Sequence, residues 1–297
     1  MKAAVFTTPN QPLIVKEIDL EEPRSREVHV RVYNCGICHS DLSIYELDGA
    51  GQLPVILGHE AAGVIEDVGP DVTLVAPGDK VLLTPLAPCG QCYWCSRGEP
   101  TGCPEAQSFT SGLRPDGTSP FSEAGACVHR GLGVAGFSEM TIVSESGVVK
   151  LDPDTPLDIA CVIGCAVQTG VGAVFNSAQV EVGSTVFITG LGGIGISIVQ
   201  GARIAGASKI IVSDPVPERR EAAIHFGATH SIDPSQDEVT IRVLEETNQI
   251  GADYAFEAAG VASLVDTCIN TSRIGGTTVI VGADVSLSTV PILPVMI

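Results

Sequence analysis

Residues 184–206 read STVFITGLGGIGISIVQGARIAG, and their order decides the architecture of the second half of the chain. STVFIT is a β-branched apolar run of strand length, and GISIVQGARIAG carries apolar residues at helical spacing. Between them stand Gly190, Leu191, Gly192, Gly193, Ile194 and Gly195. In a strand-turn-helix the first glycine of this loop allows the tight turn, the second lets backbone approach a pyrophosphate, and the third packs helix on strand, with phosphate at the helix N-terminus. Asp214 closes the next apolar run, KIIVSD. It lies about 20 residues onward, where an acid accepts hydrogen bonds from a ribose 2'-hydroxyl and repels a 2'-phosphate. Strand, glycine loop, helix and acid together indicate an NAD site. The competing readings are a glycine loop of unrelated purpose and a turn aspartate before Pro215.

Outward from this stretch the pattern repeats. Strands are expected at Thr185–Thr189, Ile210–Ser213, Thr229–Ile232, Tyr254–Glu257 and Thr278–Val281, alternating with helices at Ile194–Ala205, Glu218–Phe226, Glu238–Glu246 and Ala262–Asn270. That alternation predicts a doubly wound parallel sheet, a Rossmann arrangement over residues 166–297. A sixth strand is expected of such a sheet, and the final residues, Pro291 to Ile297, do not supply one. Upstream the composition changes. Val28, Val30 and Val32 alternate, Gly63 to Val68 is a short apolar run closed by Gly69-Pro70, and Pro and Gly punctuate throughout. Residues 1–165 therefore read as a β-rich domain.

Two domains suit a chain of 297 residues, at roughly 150 residues each. Sixteen Lys and Arg against 35 Asp and Glu give a formal net charge of -19, which argues against nucleic acid and anionic membrane as partners. The N-terminus, MKAAVFTTPN, is too short an apolar stretch for a signal peptide. The longest uncharged run, Val182 to Ala202, contains six glycines and divides into strand, turn and helix rather than a membrane span. A cytoplasmic location is expected, and in that reducing compartment ten cysteines serve as metal ligands or core residues more readily than as disulfides.

Cys89, Cys92, Cys95 and Cys103 sit in PCGQCYWCSRGEPTGC, a loop rich in Gly and Pro with little apolar content to hold it. Four thiolates closing tetrahedrally on one zinc ion would cross-link it and leave no open position, which defines a structural site. Two disulfides or an iron-sulfur cluster are the alternatives. Further ligand types are scattered: Cys38 in CGICHSD, His59 in GHEAAGVIEDVG and Cys165 in VIGCAVQTGVG. Two thiolates and an imidazole would leave a fourth zinc position for water or substrate. Taken singly, Cys35 with Cys38 reads as a redox pair, His59 as a core histidine and Cys165 as a small buried hydrophobe.

Gly58, His59, Glu60, Gly63 and Gly69 match the zinc signature G-H-E-x2-G-x5-G. With the four-cysteine spacing, the chain resembles the zinc-dependent medium-chain alcohol dehydrogenases over its whole length. The resemblance implies a GroES-like β-rich catalytic domain ahead of the Rossmann domain, with the last strand and a C-terminal catalytic segment missing. It implies that Cys38, His59 and Cys165 hold a catalytic zinc, that Glu60 approaches the metal during ligand exchange, and that Cys35 is no ligand. Ser40 is implied as the hydroxyl that takes the alcohol proton, its other reading being a helix N-cap. His39 is implied to touch the pyrophosphate and Arg219 the ribose, although each also reads as a solvated surface charge. Ser43 stands where the liver-type branch carries a relay histidine.

The segment Arg114 to Glu139 resembles the longer loop of that branch, with Leu132 as a candidate lining residue; Cys127 and His129 within it are assigned no function. The implied activity is oxidation of an alcohol to an aldehyde or ketone by NAD, with one catalytic and one structural zinc, in a homodimer or homotetramer when full length. Alternatives are a formaldehyde or thiol-adduct dehydrogenase, a member that keeps its nicotinamide permanently bound, and a non-catalytic nucleotide-binding scaffold or sensor.

Overall fold

The computed structural model describes residues 1–47, 52–106 and 108–282, with Ser108 described by its backbone only. They fall into two compact units, Met1–Cys165 and Ala166–Ile297.

In the first unit, alternating residues build strands that each offer one face to a core. These are β1 (Lys2–Phe6), β2 (Ile14–Glu17), β3 (Asp19–Leu20) and β4 (Glu27–Gly36), then helix α1 (His39–Glu46), then β5 (Val55–Ile56), β6 (Glu60–Val68) and β7 (Lys80–Leu83). Short helices α2 (Tyr93–Ser96) and α3 (Ser108–Ser111) follow, then β8 (Phe121–Glu123), β9 (Ala126–Arg130), β10 (Met140–Ser144), β11 (Val148–Lys150) and helix α4 (Leu157–Ala160). One sheet runs β10-β4-β6-β7-β11. Its core gathers Val28, Val30, Ala61, Ile65, Val81, Leu83 and Val143, the valine alternation of β4 turning Val28 and Val30 inward. At the β4–β6 pairing Val32 faces Gly63. A Cβ on Gly63 would strike the Arg31 carbonyl, which is why the signature needs glycine there.

The other sheet runs β2-β1-β5-β9-β8-β3 around Val5, Ile18, Ile56, Phe121 and Val128. Two of its strands lie inside the segment expected as a long loop. Phe121 pairs with Val128 across the β8–β9 hairpin, and both are buried. Their single alternation is too short to stand out among the surrounding glycines and polar residues.

The second unit opens with α5 (Ala166–Gly172) and then alternates β12 (Thr185–Thr189), α6 (Gly193–Ala205), β13 (Lys209–Ser213), α7 (Pro217–Phe226), β14 (His230–Ile232), α8 (Val239–Glu246), β15 (Ala252–Glu257), α9 (Ala262–Thr271) and β16 (Ser272–Ile280). All strands pair in parallel, in the order β14-β13-β12-β15-β16. Because side chains alternate across a strand, Val186, Ile188 and Val212 face Ile198 and Ala202 of α6, while Phe187, Ile211 and Ala255 face Val243 of α8 and Cys268 of α9. The central strands β12, β13 and β15 are thus buried on both faces, as parallel sheets require. All five expected strands are present. β16 begins six residues earlier than expected, where Ser272 pairs with Ala252 across a register shift. Residues 291–297, expected to add no sixth strand, lie outside the described residues. Among the described residues no single helix is long and apolar enough to cross a membrane.

Candidate metal centres and cofactor loop

Cys38, His59 and Cys165 arrive from three parts of the first unit and converge, with ligand atoms within 4.8 Å of one another. Cys38 leaves β4 as the N-cap of α1, His59 immediately precedes β6, and Cys165 follows a 3-10 turn over Cys161–Gly164. Cys38 Sγ lies 3.9 Å from Cys165 Sγ and 3.7 Å from Ser40 Oγ. The N-cap reading of Ser40 is overturned: Cys38 caps the helix, and Ser40 stands at its second position.

Asp41 knits the site, and sequence reasoning missed it. Its Oδ2 accepts the Cys38 backbone N–H (3.1 Å), and its Oδ1 accepts the Gly58 N–H (2.9 Å). The same Oδ1 lies 3.3 Å from His59 Nδ1. Asp41 is 3% exposed, so one buried carboxylate orients the imidazole and fixes the backbone on either side of two ligands. With Nδ1 engaged by Asp41, Nε2 is the nitrogen left for a metal, the arrangement that sets the tautomer of a ligating histidine. The signal was present: Asp41 sits three residues after Cys38, which is capping-box spacing.

The groups of this cluster shift one another's protons. A hydrogen bond from the Cys165 thiol, and then His59, pull the Cys38 thiol down to about 3. The same contact, together with burial, drives Cys165 far up. Burial alone would lower His59, but Asp41 and Cys38 hold it up at about 9. Burial, then the nearby Cys38 charge, raises the Glu60 carboxyl, which is 6% exposed. Two sulfurs and one imidazole within 4.8 Å of one another form a donor set that fits a divalent ion once their protons are displaced. Cys35 stands outside it. Its thiol faces the Gly36 carbonyl at 3.4 Å and is pushed to about 12 by burial and then by Asp41.

Cys89, Cys92, Cys95 and Cys103 also gather within 4.8 Å, with Cys92 and Cys95 sulfurs 3.5 Å apart and all four thiols free. α2, one turn long, carries Cys95, and a second turn over Pro100–Gly102 delivers Cys103. Burial would raise Cys103, yet the backbone N–H groups of Cys89 and Ala106 bring it down to about 6. Cys127 is exposed, and neither it nor His129 joins a third cluster among the described residues. Leu132 is half-buried in a left-handed turn (φ 51°).

In the second unit, Gly190 has φ 86°, and a Cβ there would lie 2.7 Å from the Ala259 backbone nitrogen. A Cβ on Gly195 would collide with the Gly190 carbonyl, whereas nothing lies within 4 Å of one on Gly192, and one on Gly193 would meet Ala166 at 3.0 Å. The turn and packing glycines are thus filled by protein, and the N-cap glycine is left open to a ligand. Asp214 is 3% exposed. Its carboxylate accepts the N–H groups of Leu191 and Val216, both at 2.8 Å, so the acid also shapes the loop. Arg219 lies 3.6 Å from it. His39 is exposed at the first position of α1, and the Ser43 hydroxyl donates to the His39 carbonyl (3.1 Å).

Two family models match. The alcohol dehydrogenase GroES-like domain covers residues 24–153, and the zinc-binding dehydrogenase domain covers residues 193–297. An S-(hydroxymethyl)glutathione dehydrogenase of Escherichia coli O1:K1 is 40% identical over 285 residues, 95% of this chain and 77% of the relative. An alcohol dehydrogenase zinc-binding domain protein of Burkholderia ambifaria superposes with a TM-score of 0.92 at 35% identity, covering 99% of this chain and 80% of that one. Benzyl alcohol dehydrogenase of Acinetobacter calcoaceticus gives a TM-score of 0.90 at 30% identity, covering 99% and 81%.

Proposed function

The chain belongs to the zinc-dependent medium-chain alcohol dehydrogenase family, and from that premise we propose that Cys38, His59 and Cys165 form the catalytic zinc site of an NAD-linked dehydrogenase that oxidises an alcohol to an aldehyde or ketone. That it is a zinc- and nicotinamide-dependent oxidoreductase follows from the family; the residues and the substrate are the proposal. The observation that carries it is the convergence of two thiols and an imidazole from remote segments, held by Asp41.

When bound, zinc supplies a Lewis acid that makes an alcohol hydroxyl acidic near neutral pH, and NAD supplies the hydride acceptor. The protein does the rest. Ser40 Oγ, beside Cys38, receives the hydroxyl proton and hands it toward water. Asp41 keeps His59 in the tautomer that presents Nε2. Glu60 places a buried carboxyl beside the site, where it would be available to a bound metal. Cys89, Cys92, Cys95 and Cys103 hold the structural zinc. Gly190, Gly192, Gly193 and Gly195 would seat the pyrophosphate, while Asp214 and Arg219 would take the ribose. A buried carboxylate at Asp214 favours NAD over NADP by repelling a 2'-phosphate.

A second reading is favoured by the 40% identical relative: the alcohol is a hydroxymethyl adduct of a thiol. Assembly as a homodimer or homotetramer follows from family likeness, and ten free thiols suit the cytoplasm. An NADH-absorbance assay against ethanol, benzyl alcohol and S-hydroxymethyl glutathione, with zinc removed and restored, tests the proposal. Turnover that needs zinc supports it, and the preferred substrate chooses between the readings. Full turnover without zinc contradicts it.

A further inference from the structure

The strands of the second unit run outward from β12 in two directions, to β13 and β14 on one side and to β15 and β16 on the other. A dinucleotide lies in the crevice at such a switch point, beyond the carboxyl ends of the central strands. The glycine loop after β12 forms one wall. The other is the turn over residues 258–261, between β15 and α9, and the last residue of β15, Glu257, holds that turn.

Glu257 is 1% exposed. Its Oε1 accepts the backbone N–H groups of Ala259 and Gly260, each at 2.9 Å, and of Val261 at 3.4 Å. Its carbonyl accepts those of Val281 (2.8 Å) and Gly282 (3.0 Å). A Cβ on Gly282 would lie 2.6 Å from Glu257 Oε2, so the chain just past β16 closes over the carboxylate. The turn held in this way reaches the glycine loop. The Ala258 N–H donates to the Thr189 carbonyl at 2.9 Å, and the Ala259 backbone fills the space that a side chain on Gly190 would take. A buried carboxylate is costly unless it is bonded, and these bonds are spent on a turn whose Ala259 and Val261 are exposed.

We propose that Glu257 is a positioning residue for the nicotinamide cofactor: its carboxylate sets the turn over residues 258–261 against Gly190 and so fixes the second wall of the crevice. The inference rests on the NAD reading given above. Glu257 itself is buried beneath the turn and acts through it. Without the carboxylate, three N–H groups lose their acceptor and the turn loses the bonds that keep it beside the glycine loop. The left-handed conformation of Gly260 (φ 71°) is the other requirement of the same turn.

Titration of the zinc-loaded protein with NADH, read by nicotinamide fluorescence, tests this. Glu257→Ala is expected to raise the NADH Kd about tenfold, the scale of one lost hydrogen bond to a charged group, and the KM for NAD with it. Zinc content and the KM for the alcohol at saturating NAD stay as in the wild type. Glu257→Gln keeps an acceptor oxygen and is expected to recover most of the lost affinity. Gly260→Ala disturbs the same turn with Glu257 in place; it is expected to weaken NADH in the same direction, and it decides the matter if Glu257→Ala does not fold. Gly275→Ala imposes the same left-handed strain (φ 72°) toward the amino end of β16, away from the crevice. It is expected to lower the melting temperature and leave the NADH Kd unchanged, which separates positioning from stability. Unchanged NADH binding in Glu257→Ala or Gly260→Ala, no recovery in Glu257→Gln, or an equal loss in Gly275→Ala overturns the proposal. A wild-type protein that binds no NADH overturns instead the reading on which it rests.

Discussion

The two cysteine-bearing centres of the first unit are built in opposite ways. The four-cysteine lobe draws its ligands from 15 consecutive residues, joined by single turns of helix and little apolar burial, so the ion must supply the structure. Cys38, His59 and Cys165 are delivered by elements whose cores close without a metal, Val28, Val30, Ala61 and Ile65 among them. There the fold supplies the geometry and the ion supplies only chemistry. Removing a ligand should therefore cost stability at one centre and function at the other.

The largest expected effect lies at the convergent centre. Cys38→Ala should lower kcat by about a thousandfold or more, since a metal contributes several kcal/mol to the transition state, while its melting temperature stays within a few degrees. Unfolding in parallel with loss of activity would erase the contrast. Next comes the lobe, where Cys103→Ala should lower the melting temperature by about 5–10 °C, as expected for a loss of ~2–3 kcal/mol, and open residues 89–103 to limited proteolysis. An unchanged melting temperature would show that the lobe holds itself.

The smallest effect concerns protons. After a chelator strips the open site, His59 should titrate near 9 rather than its ordinary 6.5, because Asp41 and Cys38 outweigh burial. A raised folded-state value stabilises fully below 6.5 and loses that contribution as pH rises through about 9. Zinc must displace this proton and that of the Cys165 thiol, which is held far above its ordinary value, so its affinity for the stripped centre should climb with pH through about 9 without levelling off there. Asp41→Asn should move the titration back toward 6.5; an imidazole NMR titration reads both.

The same contrast explains what the sequence discloses. Local spacing makes the four-cysteine lobe, the glycine loop and the alternating strands and helices of the second unit legible, because each is written within a window of 15 to 25 residues. The convergent triad is legible only as three unconnected ligands that the family resemblance brings together, since nothing in the sequence measures a distance between residues 38 and 165. Asp41 is hidden for a related reason: its spacing from Cys38 marks a helix start, but its contact with His59 exists only once Gly58 and His59, just ahead of β6, are brought to α1. The β8–β9 hairpin escapes because its buried pair, Phe121 and Val128, is set in strands of three and five residues.

The most direct test of the central claim is a zinc count per chain by mass spectrometry on active wild-type protein and on folded Cys38→Ala. Two zinc ions falling to one is the predicted result. A single zinc in active wild-type protein, or two retained in the variant, would contradict a second, convergent metal centre built from Cys38, His59 and Cys165.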